Sequence, residues 1–202
     1  MNLYGIVVAA GRGDRFGRPK ATVELAGTPL WRRAVSTLED AGANGVVVVG
    51  EVPGGTPGGP RRRDSVAAGL AALPSAATHV LIHDAARPLA SVSLARRIRD
   101  RLADGDVDGV VPGIAVRDTL KRVTGDRVET TIDRSDLVAV QTPQGFVVEA
   151  LTSAHAAVDD DASDDGLLVE RWGGTVAVVP GEATNLKITY PDDLAVAEAM
   201  QR

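Results

Sequence analysis

The sequence has no cysteine, which excludes disulfides, thiolate metal sites and a cysteine nucleophile. Aromatic residues are scarce at 3%, so the core has to be built from Val, Ala, Leu and Ile. Three histidines are too few to form a metal cluster by themselves, and His79, His83 and His155 read first as structural. No apolar run approaches the roughly 20 residues that a membrane span needs. The start, Met1-Asn2-Leu3-Tyr4-Gly5, runs straight into a strand-like stretch with no basic region, leader or cleavage site. The default expectation is a cytoplasmic protein without membrane association. Strong positive charge is also lacking: the formal net charge is −5 and no long basic stripe occurs, which argues against a nucleic-acid binder. What remains is an ordinary globular balance, 44% hydrophobic and 24% charged over 202 residues, suited to one domain spanning 1–202.

Short continuous apolar runs read as buried strands of a parallel sheet: Ile6 to Ala10, Val46 to Val49, His79 to His83, Gly109 to Val111 and Val176 to Val179. Helix-like segments lie between them at Leu30 to Leu38, Ser65 to Leu73, Leu94 to Leu102, Phe146 to Val158 and Gly166 to Trp172. Asp192 to Met200 reads as a closing helix with Pro191 near its first turn. This alternation predicts an α/β sandwich with a mostly parallel sheet. Val52 to Pro60 is crowded with Pro and Gly and reads as a loop. Val116 to Ile132 alternates charged and β-branched residues around Thr124-Gly125-Asp126, which predicts a polar two-stranded excursion. Asp159-Asp160-Asp161 reads as a solvated loop.

The most informative segment follows the first strand, from Ala9 and Ala10 through Gly11-Arg12-Gly13-Asp14-Arg15-Phe16-Gly17-Arg18-Pro19-Lys20. In an open α/β sheet, ligands bind beyond the carboxyl ends of the strands. Glycines there let backbone N–H groups approach phosphates. Arg12, Arg15, Arg18 and Lys20 set four cations against the single acid Asp14, inside an acidic protein. A polyphosphate is the natural guest, and a generic glycine-rich turn with solvated arginines is the bland alternative. A Walker loop does not fit, because Lys20 follows Pro19 and precedes Ala21. A dinucleotide fingerprint does not fit either, because Phe16 stands where its third glycine belongs. That counts against an NAD-dependent oxidoreductase, for which Glu51 would be the ribose acid.

The loop resembles the A-A-G-x-G-x-R-(x)n-P-K signature of nucleotidyltransferases that handle sugar and polyol phosphates. Further motifs follow: Gly58-Gly59 with Arg61 to Val66, His83 to Pro88, Val116 to Lys121, Asp133-Arg134, Gln141 to Gln144, Ser163 to Asp165, and Asn185 to Thr189. Together, in this order and over nearly the whole chain, they resemble the 2-C-methyl-D-erythritol 4-phosphate cytidylyltransferase family of the non-mevalonate isoprenoid pathway. The resemblance implies a Rossmann-like three-layer sandwich with a projecting β-arm at about 116–134 that reaches across a homodimer. It implies CTP and a polyol phosphate as substrates and Mg2+ as cofactor. By the same resemblance, Gly11, Gly13, Arg15 and Lys20 hold the triphosphate, Arg15 and Lys20 as catalytic residues. Ala9, Ala10, Gly59 and Ser65 frame cytosine and ribose. Asp84 and Arg87 sit at the nucleotide and metal region, Asp84 being the metal candidate. Arg134 and Lys187, catalytic residues by the same resemblance, position the phosphate of the second substrate, and Arg117, Asp118, Thr119, Lys121 and Ser163 lie near the polyol. Pro60 stands where many members carry an acid that contacts the base, and the loop before Pro19 and the region before Gly58 are shorter than in many members.

The chemistry suits these residues. A phosphate monoester has its second pKa near about 6 and is largely ionised at neutral pH, so it needs no general base. The obstacle is repulsion between a dianion and a triphosphate, which cations and in-line positioning overcome. Lys187, between Leu186 and Ile188, reads as a strand residue aimed at one face, with a snorkelling surface lysine as the alternative. The rival readings are a cytidylyltransferase for another polyol phosphate or a phosphonate, and a non-catalytic nucleotide-binding domain.

Overall fold

Residues 1–11, 13, 16–17, 23–159 and 162–201 are described in the computed structural model. The first apolar run forms β1 (Leu3–Val8), an interior strand of the main sheet. A short hairpin, β2 (Glu24–Leu25) and β3 (Thr28–Pro29), leads into α1 (Leu30–Asp40). Then come β4 (Val46–Val49), α2 (Arg62–Ala71), β5 (His79–Asp84), α3 (Val92–Ala103) and β6 (Gly109–Ala115). A ribbon of β7 (Leu120–Thr124) and β8 (Arg127–Ile132) precedes β9 (Val138–Val140) and β10 (Gln144–Val147). The chain ends with α4 (Val148–Ala157), α5 (Asp165–Trp172), β11 (Val176–Pro180) and α6 (Pro191–Ala199).

The main sheet has the order β11-β6-β10-β5-β1-β4, with β9 paired to the far end of β6. Pairings β1–β4, β1–β5 and β11–β6 are parallel, and β10 runs antiparallel between β5 and β6. Side chains alternate between two apolar cores, which is why the strand sequences read as unbroken hydrophobic runs. On one face Val7 and Leu81 pack with Leu38 of α1 and Leu94, Ile98 and Leu102 of α3. On the other, Ile6, Val80 and Ile82 pack with Val66 of α2, Leu151 of α4 and Leu168 of α5. The expected α/β sandwich with a mostly parallel sheet is therefore observed. A third cluster, with Phe16, Leu25, Leu30, Ile188 and Ala197, ties the glycine loop to the last helix.

Three sequence expectations need correction. The helix expected from Phe146 begins at Val148, and Phe146 instead belongs to the antiparallel strand β10. The run Phe146-Val147-Val148 has no period that separates a four-residue strand from a helix start. Neighbours decide it: the Phe146 ring lies against Gly109, where any Cβ would meet it at 2.7 Å. Lys187, expected in a strand, belongs to none. The first strand also stops at Val8, so Ala9 and Ala10 already lie in the turn beyond it.

The polar excursion is the β7–β8 ribbon, turning at Gly125, whose φ of 60° suits glycine. Its strands pair only with each other, and Val123 and Val128 stand exposed on it. Val52 to Pro60 is a loop, with Thr56 bridged to Val49. Asp159 is solvated as expected, while Asp160 and Asp161 lie outside the described residues. Among the described residues no helix is long and apolar enough to cross a membrane.

Candidate active site

The carboxyl ends of β1, β4 and β5 open at one place, where an open α/β sheet binds its ligands. The Ala9 N–H donates to Val49 O at 2.7 Å and the Ala85 N–H to Val8 O at 3.0 Å, so the three strand ends are locked together. Gly58 is forced by crowding: a Cβ there would collide with the Ala10 methyl and reach Ser65 Oγ at 2.9 Å. The Gly59 N–H donates to Ser65 Oγ at 3.2 Å, and that hydroxyl donates in turn to Arg61 O at 3.3 Å. Ala9, Ala10, Gly59 and Ser65 are thereby brought to one wall, with Ser65 buried and Ala10 half-buried. Gly11 is exposed beside them, and Gly13 turns the chain with its carbonyl accepting from the N–H groups of Phe16 and Gly17. Arg15 and Lys20 lie outside the described residues.

The floor of this mouth is a chain of alternating charges. Lys187 Nζ donates to Asp84 Oδ2 at 2.7 Å, and Arg62 Nε donates to Asp84 Oδ1 at 3.1 Å. Arg62 Nη1 donates to Asp165 Oδ2 at 2.8 Å, and His155 Nε2 lies 3.7 Å from Asp165 Oδ1. Burial by itself would raise the carboxyls of Asp84 and Asp165. Arg62, with Lys187 for Asp84 and His155 for Asp165, outweighs burial and holds both well below the usual carboxylate range. Burial opposes the Arg62 charge too, yet the two carboxylates raise its pKa above the ordinary arginine value. All three groups are therefore ionised at neutral pH.

Lys187 reaches this place because its segment is anchored from behind. The Gln141 amide donates to Glu182 O at 2.8 Å, and Asn185 Nδ2 donates to Thr142 O at 2.9 Å. The Ile188 N–H donates to Ala86 O at 2.8 Å, with Ile188 buried, so its neighbour Lys187 turns outward to Asp84. Arg87 Nη1 donates to Asn185 O at 2.8 Å, which places Arg87 beside the same segment. Burial lowers the Arg87 pKa, with the Arg62 charge adding to that effect and Asp84 opposing it. The Asp84 N–H donates to Thr142 Oγ1 at 3.0 Å, and the same hydroxyl shares a hydrogen bond with His83 Nδ1 at 2.9 Å.

His83 is fully buried, and burial pushes its pKa down to about 4. Its unfolded value is near 6.5, so the unfolded chain binds one more proton than the native chain between those values. Stability contributed by neutral His83 is present above about 6.5 and is lost as pH falls toward 4. The expected loss is roughly 3 kcal/mol, read as a steeper fall of denaturation free energy in this window for the parent than for His83→Asn. Equal slopes in both proteins would show that His83 protonates as freely in the native state as in the unfolded one.

The remaining predicted residues are not gathered here. Arg117, Asp118, Thr119 and Lys121 lie on the exposed ribbon or at its root, where Lys121 Nζ donates to Thr131 Oγ1 at 2.6 Å. Arg134 is exposed and donates from Nη1 to Val116 O at 3.0 Å, across the ribbon's base. Ser163 is exposed just before Asp164, which caps α5 and accepts from Gln144 Nε2 at 2.8 Å. Sequence reasoning missed Arg62, Thr142 and Asp165 as site residues. Arg62 sits in an Arg61-Arg62-Arg63 run, and only the phase of α2 tells which of the three faces the site.

The sequence pattern of one family, IspD: 2-C-methyl-D-erythritol 4-phosphate cytidylyltransferase, matches residues 3–202. The chain belongs to this family. A 2-C-methyl-D-erythritol 4-phosphate cytidylyltransferase from Saccharopolyspora erythraea is 45% identical, covering 99% of each chain. The crystal structure of the Thermus thermophilus enzyme of the same name superimposes with a TM-score of 0.85 at 37% identity, covering 99% of this chain and 98% of that one. The bifunctional enzyme IspD/IspF of Solidesulfovibrio magneticus is 43% identical over 98% of this chain. The chain spans 57% of the length of that bifunctional relative. The IspD family is thus represented both by proteins of this length and by longer two-function chains.

Proposed function

We propose that the chain transfers a cytidylyl group from CTP to 2-C-methyl-D-erythritol 4-phosphate, giving 4-diphosphocytidyl-2-C-methyl-D-erythritol and pyrophosphate. The observation that carries this reading is the Lys187–Asp84 pair at the carboxyl end of β5, beside the end of β1, in a chain of the IspD family. A phosphate oxygen of the polyol phosphate attacks the α-phosphorus of CTP. The new P–O bond forms as the bond to pyrophosphate breaks, and pyrophosphate leaves with the electron pair. No histidine or cysteine is required, because the nucleophile is already ionised.

In this reading Gly11, Gly13, Arg15 and Lys20 take the triphosphate, and Ala9, Ala10, Gly59 and Ser65 take cytosine and ribose. Lys187, Arg87 and Arg134 take the phosphate of the second substrate. Arg117, Asp118, Thr119, Lys121 and Ser163 face its hydroxyl groups. Among the described residues no cluster of three or more acidic or histidine side chains could hold a metal. Asp84 is a lone carboxylate whose oxygens each meet one cation, leaving further lone pairs. That donor set fits Mg2+, which takes one or two carboxylates and fills its shell with water and phosphate oxygens. Bound there, Mg2+ supplies charge neutralisation on the triphosphate. The ribbon, exposed and unpaired with the main sheet, suits docking on a second copy, and we take the enzyme to act as a homodimer in the cytoplasm, where CTP is made.

The test is direct. Pure protein with Mg2+, CTP and a panel of polyol phosphates is expected to release pyrophosphate with methylerythritol phosphate. Release with ribitol phosphate alone would sink the narrow assignment and leave cytidylyl transfer standing. Silence with every triphosphate and polyol phosphate would remove the reaction class.

A further inference from the structure

Arg61, Arg62 and Arg63 open α2 side by side, yet they have three destinations. Arg61 turns back on Asp64 at 2.9 Å, part of the helix cap. Arg63 Nη2 donates to His155 O at 2.9 Å, and its Nη1 to Val158 O, at the end of α4. Arg62 alone turns into the mouth, between Asp84 and Asp165. Helix propensity does not explain it, because a cation in the first turn opposes the helix dipole. Stability does not explain it well either. Burying an ion pair costs desolvation, and apolar replacements are often as stable. Its geometry gives it a different role. Asp84 ends a strand and has little freedom of its own backbone, but its carboxylate plane is set by what grips each oxygen. Arg62 grips one oxygen and Lys187 the other. Asp165, 1% exposed on α5, holds the far side of the guanidinium.

We infer that Arg62 is a positioning residue, a clamp that ties Asp84 to Asp165 and so fixes where Lys187 sits at the mouth of the site. This rests on the reading that Asp84 and Lys187 face the substrates. The planar fork is essential to the arrangement, since a guanidinium spans two carboxylates and an ammonium is a single point charge. Asp165 thereby acts on the reaction from the first turn of α5, through two intervening side chains.

Arg62→Met keeps the length and apolar stem of the side chain and removes its charge. It leaves the buried Asp165 with His155 at 3.7 Å as its remaining neighbour, so it is expected to melt below the parent and to lose turnover on the order of 10–100-fold, as supporting contacts one step from a reacting site typically do. The KM for the polyol phosphate should rise while that for CTP changes little. Asp165→Asn leaves the Arg62–Asp84 contact in place and should lower turnover in the same direction. The double variant should be no worse than Arg62→Met, because both act through one connection. Arg62→Lys should recover only part of the loss. An Arg62→Met enzyme with parental turnover overturns the inference whatever its melting temperature. If Arg62→Met does not fold, Asp165→Asn and Arg62→Lys decide in its place, and parental turnover in both overturns it. If the parent itself shows no cytidylyl transfer, the functional reading fails separately. The clamp is then judged by the crystal structure of Arg62→Met, or of Asp165→Asn if that variant alone folds. Asp84 and Lys187 parted beyond the ion-pair reach of about 4 Å supports it, and an unchanged pair overturns it.

Discussion

Lys187→Ala is expected to fold like the parent and to lose on the order of 10²–10³ in turnover, the usual cost of removing one donor from a developing negative charge. Folding should survive because Lys187 carries little of the packing. Its side chain is 42% exposed, and its segment is held by Ile188 and Asn185, not by the amine. The carboxylate it leaves behind keeps Arg62 as a partner, so no buried charge is orphaned. Activity is another matter. Two anions have to meet at this mouth, and Lys187 Nζ, 2.7 Å from Asp84, is a cation set directly beside the strand end where they would meet. The measurement is steady-state pyrophosphate release beside a thermal melt. Turnover within a few-fold of the parent, at an unchanged melt, would reduce Lys187 to a surface lysine resting on Asp84.

Mixing two inactive variants, Arg134→Ala and Lys20→Ala, is expected to restore about a quarter of parental activity, if each site of a two-fold dimer combines residues of both chains. The structure motivates the first half of this. The β7–β8 ribbon buries almost nothing on its own domain, exposes Val123 and Val128, and carries Arg134 at its base. Exposed β-branched residues on an isolated two-stranded ribbon gain order by packing on something else. If that partner is a second copy, Arg134 enters the neighbour's mouth while Lys20 serves its own. Random exchange places about half of all dimers in the mixed state, and each mixed dimer has one site with both defects and one with neither. Subunit exchange is followed with two tags of different mass, and activity is read after exchange is complete. Activity fixed at the level of the single variants would show that Arg134 works within its own chain. A monomer at micromolar concentration would remove the arrangement from which the prediction starts.

The sequence by itself determined the sandwich and marked the strand ends where a site is expected. Unbroken runs such as Val80-Leu81-Ile82 are buried on both faces and need no partner's identity to be recognised. Glycine and proline marked the Val52 to Pro60 loop and the Gly125 turn, because their backbone limits are local properties. The glycines and cations after β1 and His83-Asp84 could be placed near one another because strands of such a sheet end on the same side, while Asn185 to Thr189 was placed there by the family resemblance alone. Tertiary structure decided the rest. Phe146 became a strand residue because β5 and β6 left a slot with Gly109 open to its ring, a contact 37 residues away that no local pattern encodes. The choice among Arg61, Arg62 and Arg63 followed the same logic. Neighbours in sequence, they differ in the direction each leaves α2, and only the positions of Asp84 and Asp165 across the fold make one of those directions matter. Local periodicity records which residues are buried. It cannot record which buried charge faces which, since Coulomb attraction depends on separation in space and not along the chain.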